Sequence, residues 1–460
     1  MSSLTVAMIV VIGLFVCVLC GIHIGFSLAT MSVVGIMLMS GSVDTGLHIL
    51  GTTAFEALRS YTFAVIPLFM LMGAFMSNSN IAKNLFAFLS RILGRIPGGL
   101  GIATVLANAV FAAITGVAIA SAAIFAKISV PEMERHHFRP TWAAGCVAGS
   151  STLGMLIPPS LMFILYGMLA EVSIGKMFIA GILPGILLAL MFSALVLGFA
   201  VVSPEKMYEA GFYKRSKEDI QDKLEELSGN RDGKSELEQV SFLRLSISVI
   251  PTVLLILLVL GGIWGGYFTP TEASGIGALG ALLVGFVSGL TPAGVKNALL
   301  ETAESASSIL FLLISATMYS RMLTMSGAVV WLSQVVMSID ASKYVILALL
   351  MVVIIILGCV LDSTSIMLIT VPMMAPIMAS LGFDLIWFGV VIVLFVHMGL
   401  ITPPFGMCVF AVKGALPKRY TDIKVEGIFG IVLPFLITMI IHAIIIVVFP
   451  GIALTLTMGM

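Results

Sequence analysis

GSSTLGMLIPPS, running from Gly149 to Ser160, decides the fold. It lies inside an apolar run over 140–172 that is long enough to span a bilayer. The adjacent prolines Pro158 and Pro159 remove two backbone donors and clash with the preceding turn, so a continuous helix cannot pass. The residues before them carry hydroxyls and glycines where lipid would favour leucine. In hydrocarbon, irregular backbone survives only where protein or a polar cavity surrounds it. The stretch therefore reads as a spanning helix broken at membrane depth and furnished with oxygens.

The chain around the break cannot fold in water. Of its 460 residues 60% are hydrophobic and 10% charged, and its mean hydropathy is +1.16. A soluble domain carries roughly 25% charge. Apolar runs long enough to cross a membrane recur along nearly the whole length, which makes this an all-α polytopic membrane protein. The net charge of zero gives no support to a nucleic-acid partner or a polybasic surface role. Cys17, Cys20, Cys146, Cys359 and Cys408 all lie in apolar segments and read as small core residues, not a disulfide framework. No basic n-region precedes the first apolar run, so that run reads as a retained helix.

Spans fall near 4–21, 23–41 and 62–79. A close pair follows at 98–113 and 118–130, a hairpin in outline, then 140–172 with its break, then 176–202. The stretch from Ser203 to Arg244 holds 8 Lys/Arg and 10 Asp/Glu and reads as an extramembrane loop, with an amphipathic helix expected around Lys217–Leu227. The pattern then restarts at 243–268, 272–289 and 303–324. A second hairpin spans 344–378, a second broken helix 383–416, and a last span 425–449. The expected domains are thus 1–202, a polar loop 203–244, and 245–460, each half with about five spans and one re-entrant hairpin.

The restart is a repeat with a fixed register. Adding 245 carries Pro131 to Pro376, Trp142 to Trp387, Gly154 to Gly399, Pro158 to Pro403 and Pro159 to Pro404. The chain has only 18 prolines and 4 tryptophans, so chance does not produce this match. An odd number of spans per half makes the copies inverted. Loop charge agrees: AKISVPEMERHHFRP, at the base of the first hairpin, carries Lys127, Arg135 and Arg139, whereas PIMASLGFD at the second base has no basic residue. The positive-inside rule then puts the first base, the 203–244 loop and the Lys413–Lys424 cluster in the cytoplasm.

Each half has two places where backbone is irregular at depth. The hairpin tips are AITGVAIAS (Ala113–Ser121) and VLDSTSI (Val360–Ile366); the breaks are GSSTLGMLIPPS and HMGLITPPFG (His397–Gly406). Ends of half-helices expose carbonyls to cations and N–H groups to anions. Two tips and two breaks at one depth therefore suit small cations together with an anionic solute. Asp362 is the one carboxylate in a tip, and it reads either as a cation ligand or as a helix cap. Gly149, Ser150, Ser151, Thr152 and Gly154 read either as a site or as close helix packing. His397 reads as a hydrogen-bonded structural histidine ahead of a proton carrier, and Asn108 as a helix–helix hydrogen bond ahead of a ligand. No phosphate-binding loop, HExxH motif or Ser/His/Asp set occurs, which gives no support to an ATP site or an enzyme.

GSSTLGMLIPPS together with LDSTSIMLITVPMMAP, GFDLIWFGVVIV and GLITPPFG resembles the large membrane subunit of TRAP (tripartite ATP-independent periplasmic) transporters over nearly the whole chain. The resemblance implies an elevator-type, sodium-driven symporter of the bacterial inner membrane, similar in architecture to the ion transporter superfamily. It implies a separate small four-helix membrane subunit and a soluble periplasmic binding protein that delivers a small carboxylate- or sulfonate-bearing anion. At least two Na+ sites follow: one at Gly149, Ser150, Ser151 and Gly154, the other at Asp362, Ser363, Thr364, Gly399 and Thr402. Solute contacts fall to Thr115, Ser121, Pro158, Pro159, Ser365, Pro403 and Pro404. Where many members have a serine-rich first tip, this one has TGVAIAS, leaving Thr115 and Ser121 as its hydroxyls. Two other functions compete: a stand-alone dicarboxylate or ion carrier, and a channel, which the plugging tips disfavour.

Overall fold

The computed structural model describes residues 2–209 and 242–459; the helix expected around Lys217–Leu227 lies outside them. Among the described residues the chain is helical throughout, with one isolated bridge between Phe138 and Tyr208. The first half runs α1 (Ser3–Leu19), α2 (Ile24–Ser40), α3 (Val43–Arg59), α4 (Val65–Ser77), α5 (Ile81–Leu93), α6 (Gly99–Thr115) and α7 (Ala118–Arg135). It continues through α8 (Pro140–Ser151), α9 (Leu153–Leu156), α10 (Leu161–Leu169), α11 (Ile174–Val202) and α12 (Pro204–Met207). The second half is α13 (Phe242–Trp264), α14 (Pro270–Val287), α15 (Pro292–Ser326), α16 (Ala328–Ser338), α17 (Lys343–Gly358), α18 (Ser363–Ser380), α19 (Leu385–Ile401), α20 (Met407–Ala415) and α21 (Val425–Val448).

The helix bounds recur at the 245-residue shift. Moved by that amount, Ala118–Arg135 falls on Ser363–Ser380, and the start of α8 at Pro140 falls on the start of α19 at Leu385. Packing recurs with them: α2 lies on α15 as α14 lies on α4, and α6 lies on α8 as α17 lies on α19. The halves interlock through their hairpins, α7 against α20 and α18 against α10.

Three helices, α3, α5 and α16, were not expected from the apolar runs. They are 17, 13 and 11 residues long. The first two are punctuated by Asp44, His48, Glu56 and Arg59, and by Lys83 and Arg91, so neither reads as a span. The counterpart of α3 and α4 is the single helix α15. Its 35 residues rise roughly 52 Å, far more than a hydrocarbon core of about 30 Å, whereas the first-half segment bends by 61° between Arg59 and Tyr61. Among the described residues six helices are long and apolar enough to cross a membrane, and up to eight if each bent pair is one span.

Small residues bring the helices close, as bundles in lipid require. A Cβ added at Gly149 of α8 would stand 2.5 Å from Cγ of Phe435 of α21. The core is continuous around α8, α10 and α19, where Trp142, Tyr166, Phe163 and Phe388 are fully buried.

Candidate functional site: two hairpin tips and two interrupted helices

In the first half, α6 ends at Thr115, whose hydroxyl donates back to the Phe111 carbonyl at 3.2 Å. The chain turns on Gly116, at φ +64°, a conformation that favours glycine, and α7 begins after an extended Val117. A Cβ on Gly116 would lie 3.1 Å from the Pro159 oxygen and 3.2 Å from the Leu161 nitrogen, so the first tip rests on the first break. The Thr115 backbone rests in turn on α4, where a Cβ on Gly73 would stand 2.9 Å from its Cα. The break consists of one-turn α9, an extended Ile157, the cis Pro158–Pro159 bond and Ser160, after which α10 leaves at 41°.

Hydroxyls at this break donate into their own helix or break: Ser151 to Ala148 O at 2.8 Å, Thr152 to Gly149 O at 2.7 Å, Ser160 to Met155 O at 2.5 Å. A hydroxyl that spends its proton on the backbone still presents lone pairs, which is what a hard cation takes. Ser150 is committed further. It donates to Cys146 O at 2.7 Å and accepts from Asn108 Nδ2 at 2.7 Å, while Asn108 Oδ1 accepts from Ser121 at 2.5 Å. Asn108 is thus the helix–helix hydrogen bond that its residue type suggested. From Ser150 to Ser160 only Ile157 is not buried.

The second half repeats the geometry with different chemistry. Asp362 caps α18: its carboxylate accepts from Ser365 N at 3.1 Å and from the Ser365 hydroxyl. It is exposed, while Ser363 and Ser365 behind it are buried. At the break, Thr402 turns extended and donates to Met398 O at 2.5 Å, the Pro403–Pro404 bond is cis, and Gly406 at φ +42° starts α20. Hairpin and break meet backbone to backbone: a Cβ on Gly399 would be 2.5 Å from the Gly358 Cα. Among the described residues no hydrogen bond joins Asp362, Ser363 or Thr364 to Gly399 or Thr402. His397 is fully buried and, among the described residues, neither ring nitrogen has a hydrogen-bond partner, which corrects the reading of it as a hydrogen-bonded residue.

The profile of the Tripartite ATP-independent periplasmic transporter, DctM component, matches residues 11–452. The chain belongs to that family. It is 30% identical over 404 residues to the C4-dicarboxylate TRAP transporter large permease protein DctM of Pseudomonas aeruginosa, covering 87% of each chain. It is 27% identical over 438 residues to the sialic acid TRAP transporter large permease protein SiaM of Vibrio cholerae, covering 95% of each. In fold it is similar to the YdaH transporter of Alcanivorax borkumensis, with a TM-score of 0.60 over 89% of this chain and 90% of that one at 14% identity. The protein is therefore a large permease subunit, multi-pass in the bacterial inner membrane.

Two further contacts of the permease lie at the foot of its first hairpin. Tyr420, between α20 and α21, donates to Glu134 of α7 at 2.5 Å, and Arg419 reaches both Tyr420 Oη at 2.5 Å and Glu134 at 3.1 Å. Burial, reinforced by the Glu134 carboxylate, pushes the Tyr420 phenol up to about 12. The first hairpin's base and the Lys413–Lys424 cluster, both assigned to the cytoplasm by their charge, are thus in direct contact. The segment after α11 also crosses this foot. Arg139 Nε donates to Tyr208 O at 2.9 Å, Gly98 N to the Tyr208 hydroxyl at 3.2 Å, and Glu209 N to His137 O at 2.9 Å.

Proposed function

We propose that this permease is the sodium-driven membrane subunit that imports a small organic anion handed over by a periplasmic binding protein. It works with a separate small four-helix membrane subunit and moves the solute by an elevator motion of two inverted repeats. One observation supports this reading most: a hairpin tip and an interrupted helix recur in each half at one register, with neutral oxygens at both and a carboxylate at one. Neutral hydroxyls and carbonyls with a carboxylate form a donor set for Na+, and free half-helix N-termini suit a carboxylate or sulfonate. The relatives named for a C4-dicarboxylate and for sialic acid both carry organic anions, which supports the solute class.

The test is uptake into liposomes holding the permease with its small subunit, with and without the binding protein, under an imposed sodium gradient. A C4-dicarboxylate and sialic acid are the first solutes to try. Uptake that requires both the binding protein and inward sodium is expected. Sodium-driven uptake without the binding protein would favour a stand-alone carrier instead, and gradient-independent flux would favour a channel. The inverted arrangement has its own check: cysteines placed at Arg135 and at Ala379 should label from opposite faces of the membrane, and same-face labelling would sink it.

A further inference from the structure

The first half carries a polar link that the second lacks. Asn108 of α6 is fully buried and uses both ends of its amide, accepting from Ser121 of α7 and donating to Ser150 of α8. Ser150 passes its own proton to Cys146 O. Three helices therefore meet on one side chain: both arms of the hairpin and the helix that leads to the break. Moved by 245, these positions become Val353, Ile366 and Phe395, none of which has a hydrogen-bonding side chain. In a dry bundle an amide bonded at both its oxygen and its nitrogen fixes one arrangement, because sliding any of the helices orphans a buried donor or acceptor.

The hairpins are held differently elsewhere too. Both feet of the first are fastened by the segment around Tyr208, and its tip is wedged between α4 and Pro159. Among the described residues, the side-chain hydrogen bond that joins the second hairpin to another element is the Tyr319 hydroxyl donating to the Met373 sulfur at 3.5 Å, a weak acceptor. The second tip is open, with Val360 56% exposed and Asp362 beside it exposed as well.

We propose that Asn108 is a positioning residue: it keeps the first hairpin seated on the interrupted helix as a fixed wall of the solute site, and the second hairpin is the element that swings to admit solute. The proposal rests on the reading of the tips and breaks as that site. Asn108 touches no solute; it acts through Ser150 and Ser121.

The experiment uses the full permease with its native cysteines replaced, a single cysteine at Val117 or at Val360, and a small maleimide as probe. Labelling is expected to be slow at Val117→Cys and fast at Val360→Cys. Asn108→Leu should speed labelling at Val117→Cys about tenfold and leave Val360→Cys unchanged. In liposomes it should raise the half-saturation for a C4-dicarboxylate about tenfold, with the maximal rate within about twofold. Ser121→Ala cuts one of the two links and should do the same about threefold, and it decides the matter if Asn108→Leu does not fold. Folded variants with a lower melting temperature but unchanged labelling at Val117→Cys would overturn the positioning role. Labelling needs no transport. If the wild type takes up neither test solute, faster labelling in Asn108→Leu still supports the tie, and the fault lies with the functional reading.

Discussion

The two interrupted helices are alike in register and unlike in setting. The first is buried almost from end to end, and its hairpin tip has no ionisable group. The second leaves Pro403, Pro404 and Phe405 exposed, and its tip presents Asp362. The counterpart of Asp362 is Val117, so α7 starts without a side-chain cap while α18 starts with a carboxylate. The same local geometry at a 245-residue offset thus sits in two settings, one packed among other helices and one leaving a carboxylate and three break residues exposed. A motif match at equal register therefore does not assign equal roles.

The largest effect expected is at the backbone contact between the second hairpin and the second break. An alanine at Gly399 would put its Cβ 2.5 Å from the Gly358 Cα and 2.9 Å from its carbonyl carbon, neither of which can turn aside. Hairpin and break must separate, so Gly399→Ala should cut uptake at least a hundredfold. Gly185→Ala, beside the first break, meets chiefly Cγ1 of Ile157 at 2.7 Å, with the Ile157 Cα at 3.4 Å. That side chain can rotate, and uptake should stay within about threefold. Equal losses in the two variants would show that the second contact is ordinary packing.

Asp362→Asn sharpens the comparison at the tips. Asparagine caps a helix about as well as aspartate, so the exchange keeps the bond from Ser365 N and removes the charge. If the carboxylate serves a cation, half-saturation by sodium should rise about tenfold while the protein stays inserted and folded. Unchanged sodium dependence would leave Asp362 as a cap alone.

The repeat and both breaks were legible because they rest on rare residues. Proline and tryptophan at one offset survive divergence, and two adjacent prolines in an apolar run have one structural meaning. The short helices α3, α5 and α16 were not, because a search for long apolar runs passes over 11- to 17-residue helices, whether marked by charge, as α3 and α5 are, or simply short, as α16 is. Side-chain partners at the site were half legible. The hydroxyls of Ser121 and Ser150 stand in the tip and the break as expected from the sequence, yet the fold turns both toward Asn108, and no local pattern announces a partner 42 residues away. Which break is buried depends on α4 and α21 packing from elsewhere in the chain, and that is tertiary information.

The smallest effect expected is at the hairpin feet, where the halves differ again. The second foot is closed by Lys343 over the Phe383 ring at 4.8 Å and by Phe383 stacked on Trp387. The first is tied to the other half through Tyr420 and Glu134. Tyr420→Phe deletes the hydroxyl's bonds to Glu134 and from Arg419 and leaves the Arg419–Glu134 pair, so with these partly exposed groups it should cost about 1 kcal/mol and lower the melting temperature by about 2 °C. The phenol is pushed up to about 12 in the folded protein from about 10 when unfolded. A raised folded value means that the contribution is complete below about pH 10 and fades as pH climbs through 12. The difference in melting temperature between wild type and Tyr420→Phe should therefore be flat from pH 6 to 9. A difference that changes across that range would assign the tie to a group other than the phenol, and Tyr420 would then be only a filler of the contact.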